Sequence, residues 1–140
     1  MKLPAQLEAG DKLPAMHFPP VTRTTLALYC GGSGDHNPIH IDIDYARKAG
    51  LDDVIAHGML VKAYIGRAIT AVVEQLSIVQ FDTQFLAPTH VGDSITVSLI
   101  VGAAGELDGE GLCIIEAEAT NQDGVLLARS QVKVGDANFG

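Results

Sequence analysis

The stretch GMLVKAYIGRAITAVVE at residues 58–74 is apolar on almost every face, with a thin polar stripe at Lys62, Gly66, Thr70 and Glu74. Those positions recur at about one helical turn, so the spacing predicts a helix from Gly58 to Glu74 whose other faces must be enclosed. A bilayer is not the enclosure. The apolar part, about Met59 to Val73, is shorter than the ~20 residues of a membrane span and carries Lys62, Arg67 and Thr70. The partner lies downstream, where the period changes. Val79, Phe81 and Phe85 alternate with Gln80, Asp82 and Gln84, the pattern of a half-buried strand. Three further runs, about Ser94 to Val101, Leu112 to Thr120 and Val125 to Val134, are β-rich and separated by Gly-rich or Asn-Gln-Asp-Gly turns. These predict an antiparallel meander. A long apolar helix beside a sheet with one apolar face implies an α+β fold in which the sheet curls round the helix.

Upstream of that helix, residues 1–21 contain Pro4, Pro14, Pro19 and Pro20 and read as an irregular arm with one short strand. A first helix over Thr25 to Cys30, capped by Thr22 or Thr24, is expected to stop at Gly31-Gly32, since glycine readily takes the geometry that closes helices. A second, Asp44 to Ala49, is started by Asp44 and stopped by Gly50. Between them lies the most polar segment of the chain, Gly34-Asp35-His36-Asn37-Pro38-Ile39-His40.

A length of 140 residues fits one domain, 1–140, and 47% hydrophobic with 19% charged residues is the composition of a packed globule. The net charge of −8, without a Lys/Arg cluster, excludes a nucleic-acid backbone as partner. Cys30 and Cys113 stand far apart with no CxxC spacing, which suits free thiols in a reducing compartment. The N-terminal MKLPAQLEAGDKLP has no apolar core of a secretory signal, so a cytoplasmic protein without membrane attachment is expected. Sheet edges left bare by so small a domain call for a second subunit, so a dimer is expected.

Within six positions the loop supplies a carboxylate, Asp35, and an imidazole, His40, with Asn37 between them. Pro38 lacks an N–H and turns Asn37 away from helical angles, which lets Asp35 and His40 converge on one pocket. Such a pair holds a water. Addition of water to an α,β-unsaturated thioester needs the oxygen activated at Cβ and a proton delivered to Cα: His40 suits the water and Asp35 the α-proton. The thioester oxygen gains charge and needs a donor, which a backbone N–H at a helix start supplies. Gly58 occupies that start, and its missing Cβ permits close approach.

The pieces SGDHNPIHID at 33–42 and VIAHGML at 54–60 resemble, in order and spacing, the two signatures of the MaoC-like dehydratases, which include the (R)-specific enoyl-CoA hydratases. FLAPTHVGDSI at 85–95 resembles the next segment of that family, and the likeness is good from about Leu26 to Val101. The resemblance implies a hotdog fold, usually dimeric, with the site near the subunit interface. By matching positions it implies Asp35 and His40 as catalytic dyad, Asn37 as supporting amide and the Gly58 N–H as oxyanion donor. The implied reaction is syn hydration of trans-2-enoyl thioesters of CoA or an acyl-carrier protein to (R)-3-hydroxyacyl thioesters, as a hydro-lyase of fatty-acid metabolism. It calls for no cofactor. Where some relatives carry a serine eight residues past the glycine, this chain has Gly66, which bears on acyl-pocket shape.

Other readings of the same residues are simpler. Gly, Asp, Asn and Pro form turns by themselves, though a turn does not explain His40 and the AHGM segment together. His36 and His40, four apart, have the spacing of a helical metal pair, but Pro38 opposes that helix and no metal is expected. His57 reads as a structural tie from loop to helix start, and Cys30 as a buried small residue. Arg23, Arg47, Lys48, Lys62 and Arg67 read as solvated charge, so none is assigned to the CoA phosphates. Two rival functions share the fold: a thioesterase, and one subunit of a heteromeric dehydratase with a fatty-acyl or steroid side-chain substrate. The partner is then a second copy or another hotdog subunit.

Overall fold

The computed structural model describes residues 6–107 and 110–135. Pro4 of the N-terminal arm therefore lies outside the described residues, as do the other ends of the expected 1–140 unit. The elements in chain order are β1 (Lys12–His17), α1 (Arg23–Ser33), a 3₁₀ turn (Pro38–His40), α2 (Ile43–Lys48), α3 (Gly58–Thr70), a second 3₁₀ turn (Gln75–Ser77), β2 (Ile78–Phe85), β3 (Thr96–Leu107), β4 (Glu110–Thr120) and β5 (Leu126–Gly135). The strands make one antiparallel sheet in the order β1-β3-β4-β5-β2, and α3 packs across β3, β4 and β5. This is the hotdog arrangement: a helix laid along one face of a curved antiparallel sheet.

Helix α3 buries Leu60, Val61, Ile65, Ala68 and Ile69. They meet the inward row of the sheet: Val97, Leu99 and Val101 of β3, Ile115, Ala117 and Ala119 of β4, and Val132 and Val134 of β5. Alanines at 117, 119 and 128 let the helix approach the sheet closely, and each large aliphatic side chain removed from water contributes roughly 1.5–3 kcal/mol. The helix is one turn shorter than its apolar run. It ends at Thr70, whose hydroxyl bonds back to Arg67 O at 3.3 Å, and buried Val73 follows as the chain turns toward β2.

The meander holds only for β3, β4 and β5. Strand β2 does not pair with its successor β3 but crosses to the far edge beside β5, with Phe81 opposite Val132 and Thr83 opposite Ser130. An irregularity between Ile78 and Gln80 leaves Val79 62% exposed, and Phe85 is 49% exposed, so the half-buried strand read from alternation is an edge strand with two exposed apolar positions.

Helix α1 is longer than expected. Thr22 Oγ1 accepts from the Thr25 N–H at 3.1 Å, and the helix runs on through Gly31 and Gly32 to Ser33. It stops at Gly34, the residue with φ +76°, because that is where the chain needs left-handed geometry. For α2 the cap is Asp42, not Asp44: its Oδ1 accepts from the N–H groups of Asp44 (2.9 Å) and Tyr45 (3.1 Å).

Candidate active site

The loop from Ser33 to Asp42 is folded by its own polar side chains. Ser33 Oγ accepts from the Asp35 N–H, Asp35 Oδ1 from the Asn37 N–H, and Asn37 Oδ1 from the Ile39 N–H, at 3.2, 3.2 and 3.1 Å. Each link spans two residues, the local turn for which short polar side chains are suited. Pro38 then opens a single 3₁₀ turn that ends on His40. The turn carries His40 inward while Asp35, His36 and Asn37 remain exposed.

His40 is fixed by a hydrogen bond of 2.7 Å between Nδ1 and Ile55 O. A carbonyl only accepts, so Nδ1 carries the proton and the Nε2 of the neutral ring is a bare lone pair. Nε2 lies 3.9 Å from Asp35 Oδ2, too long for a direct hydrogen bond. The other face of the His40 ring is covered by His57, stacked at 3.8 Å between centroids and 27° between planes. His57 is 1% exposed, and its Nε2 donates to the Asp35 carbonyl oxygen at 3.2 Å, the tie from loop to helix start expected for it. Tyr29 of α1 meets the edge of the same ring at 4.8 Å, and burial, reinforced by the Asp35 charge, pushes the Tyr29 phenol up from its usual range.

Gly58 is the first residue of α3 and is exposed. A Cβ built there would stand 3.2 Å from Phe85 Cε1, so the absence of a side chain is what lets the Phe85 ring lie over the helix start. Between these groups is a cleft of about 360 Å³, lined by His40, Gly58, Val61, Phe85 and Leu127, with Ile55–Ala56 and Leu86–Thr89 completing the wall. A larger depression of about 580 Å³ lies on the opposite face of the sheet, among Asp82, Gln84, Glu116, Glu118, Arg129 and Gln131. It touches none of the loop residues, and its cation is spent on the Arg129–Glu118 pair at 3.0 Å. The smaller cleft is the one that joins apolar walls to an imidazole, that of His40, with Asp35 beside it.

The wall formed by Leu86–Thr89 is held from two sides. In front, the Ala56 N–H donates to Thr89 O at 2.8 Å, and Ile55 bridges to His90. Behind, buried Asp93 accepts from the His90 N–H and from Gln122 Nε2, both at 2.9 Å, while Gln122 Oε1 accepts from the Ser94 N–H at 3.0 Å.

Residues 6–122 match the family described as MaoC like domain. The chain belongs to the MaoC-like family. Over 70 residues it is 39% identical to the mitochondrial 3-hydroxyacyl-[acyl-carrier-protein] dehydratase of Arabidopsis thaliana, covering 50% of this chain and 42% of that one. Over 83 residues it is 29% identical to the (R)-specific enoyl-CoA hydratase of Rhodospirillum rubrum, covering 58% of each. The chain thus spans about half the length of the curated relatives it matches. In structure it resembles the unliganded R-hydratase PhaJ1 from Pseudomonas aeruginosa, with a TM-score of 0.83 at 27% identity over 96% of this chain and 84% of that one.

Among the described residues of this MaoC-like domain the grouping of possible metal ligands is Asp35, His40 and His57, within 4.8 Å of one another, and it does not include His36. The two imidazoles face each other. A shared ion must lie in both ring planes about 2.0–2.1 Å from each nitrogen, and planes inclined by only 27° at this separation meet far beyond that reach. The stacked pair therefore does not fit a shared metal ion.

Four of the five cations considered from sequence are engaged in structural contacts. Arg23 Nη1 pairs with Asp53 at 2.8 Å, Arg47 Nε donates to Asp52 O, Lys62 Nζ donates to Phe81 O, and Arg67 lies over the Phe18 ring. Cys30 is buried on α1, as expected. At Gly66 a Cβ would meet Phe81 Cε1 at 3.5 Å, an ordinary contact.

The cleft walls, Phe85, Thr89 and Leu127 above all, were not singled out from sequence. They come from β2, the segment after it and the start of β5, and no local pattern marks them as neighbours. Among the described residues no helix is long and apolar enough to cross a membrane.

Proposed function

We propose that this domain, taken as one unit over 1–140, is a hydro-lyase that reversibly adds water to trans-2-enoyl thioesters to give (R)-3-hydroxyacyl thioesters. The observation that carries the reading is the bare His40 Nε2 facing Asp35 Oδ2 across 3.9 Å at the mouth of an apolar cleft that ends on the first N–H groups of α3. The names of the relatives point to the same chemistry. A gap of that size is spanned by one water that donates to His40 Nε2 and also meets the Asp35 carboxyl.

In the hydration direction His40 Nε2 takes a proton from the water while its oxygen bonds to Cβ. The displaced π electrons pass to the thioester oxygen, which the Gly58 N–H stabilises; removal of one such donor typically costs on the order of 10²–10³-fold. Cα then takes a proton from the Asp35 carboxyl. Transfer of the proton on His40 to the Asp35 carboxylate restores the starting state: the pair holds one exchangeable proton before the addition, two in the enolate and one again once Cα is protonated. In this reading the oxygen and the proton both come from the one loop that carries His40 and Asp35, so they reach the same face of the double bond and the addition is syn. Asn37 does not reach the cleft in this account: its amide oxygen holds the 3₁₀ turn, and its role is to position the dyad.

The acyl group lies along Ile55, Val61, Phe85, Leu86 and Leu127. Edge strand β2 leaves Val79 exposed near its start, and exposed Phe85 and Leu86 line the cleft at its end, which supports a second hotdog subunit along this edge, either another copy or a related chain. Sizing of the purified protein tests that part. Loss of enoyl-thioester absorbance with short-chain, long-chain and bulky cyclic enoyl-CoA substrates tests the reaction. Turnover of at least one class is expected, and thiol release without loss of the enoyl band would instead identify a thioesterase.

A further inference from the structure

His57 Nδ1 is the one buried side-chain nitrogen or oxygen, among the described residues, that has no hydrogen-bond partner. Its other nitrogen donates to Asp35 O, so Nδ1 is a bare lone pair sealed from water. A group left in that condition costs free energy and calls for an explanation. His57 is also the N-cap residue of α3 yet makes no side-chain cap bond, because the ring is turned toward the loop. The first N–H groups of the helix are thereby left for another acceptor.

Two imidazoles stacked at 3.8 Å compete for one proton unless something distinguishes them. Here His40 keeps its free nitrogen toward the cleft, while the free nitrogen of His57 faces protein. We propose that His57 is a positioning residue for the dyad: as the Nε2–H tautomer it fixes the Asp35 main chain and the plane of the His40 ring, and its sealed Nδ1 leaves His40 as the imidazole that exchanges protons. The ionisable groups facing His57 are Asp35 from the loop, His40 from the 3₁₀ turn and Tyr29 from α1. Burial holds the His57 imidazole below its ordinary range, with the neighbouring His40 acting in the same direction against the Asp35 main chain and charge.

The kinetic part of this inference rests on the hydratase reading; the tautomer part does not. In the full chain labelled with ¹⁵N-histidine, two-bond correlation spectra at about pH 8 are expected to show His57 as the Nε2–H tautomer and His40 as the Nδ1–H tautomer. A Nδ1–H tautomer at His57 overturns the proposal whether or not the protein turns over a substrate. In crotonyl-CoA hydration, His57→Phe keeps a ring but loses the donor, and kcat is expected to fall about tenfold or more with KM within about threefold. His57→Gln returns a donor to Asp35 O and is expected to recover part of that loss. Folded variants that both keep the wild-type kcat and pH profile refute the positioning role. If neither variant folds, the wild-type spectra decide, and a wild type without hydratase activity counts against the proposed function alone.

Discussion

The loop from Ser33 to Asp42 and the sheet beneath it are held by opposite means. The loop is a chain of single hydrogen bonds between exposed polar side chains and nearby backbone, so each contact has no substitute. The sheet is held by continuous backbone ladders and an apolar face on which many residues share the burial, as Val97, Ala117 and Val132 do. The difference teaches where function and stability are separable: changes in the loop should move chemistry with little effect on folding, and changes in the sheet should do the reverse.

That separation can be broken from either side. Ile115→Ala, in the middle of β4, should lower unfolding free energy by about 2–5 kcal/mol in a denaturant titration, with kcat of the folded fraction unchanged. A matching loss of kcat would join what we separate. Asp35→Asn and His40→Gln should each reduce hydratase turnover by at least about a hundredfold and leave the thermal midpoint near that of the parent. Near-normal rates in both would remove the dyad assignment. Gly58→Val should push the Phe85 ring aside and lower kcat/KM by about tenfold, since the N–H survives but the approach to it narrows; steady-state kinetics with one substrate read this. Asn37→Ala removes the cap of the 3₁₀ turn, for which about 0.5–2 kcal/mol is typical, and should lower kcat more than it lowers the denaturation midpoint.

The smallest effect expected is in the pH dependence of stability. His57 titrates below its ordinary value of 6.5 in the folded protein because it is buried, so the unfolded chain takes up the proton more readily. Its contribution is therefore fully present above about pH 6.5 and is lost as the pH falls below that toward the folded value. In urea titrations at stepped pH, His57→Phe should flatten this slope.

Much of the architecture was legible because α3 and the strands carry periodic apolar patterns, and periodicity reports which face is buried. It does not report order across a sheet. Alternation in Val79 to Phe85 identified β2 as a strand but not that it crosses to the outer edge, where Val79 and Phe85 stay exposed. Glycine was an equally partial guide. Gly31 and Gly32 tolerate the helix they were expected to end, and of the three glycines there Gly34 is the one with a positive φ. At the site, Asp35 and His40 were legible because they share one short segment, and the structure brings them within 3.9 Å. Phe85 over Gly58 and Leu127 beside Val61 were not, because long-range packing alone makes them neighbours.

The carboxylate of Asp93 gives the molecule a kind of remote adjustment. It holds Gln122, in the surface turn between β4 and β5, and through the His90 main chain it reaches Ile55, whose carbonyl orients His40. A shortened or reshaped turn at Asn121–Gly124 would pull on that linkage from outside the cleft. Drift in a surface turn is thus a route by which this fold can shift the His40 imidazole while every residue that lines the cleft stays the same.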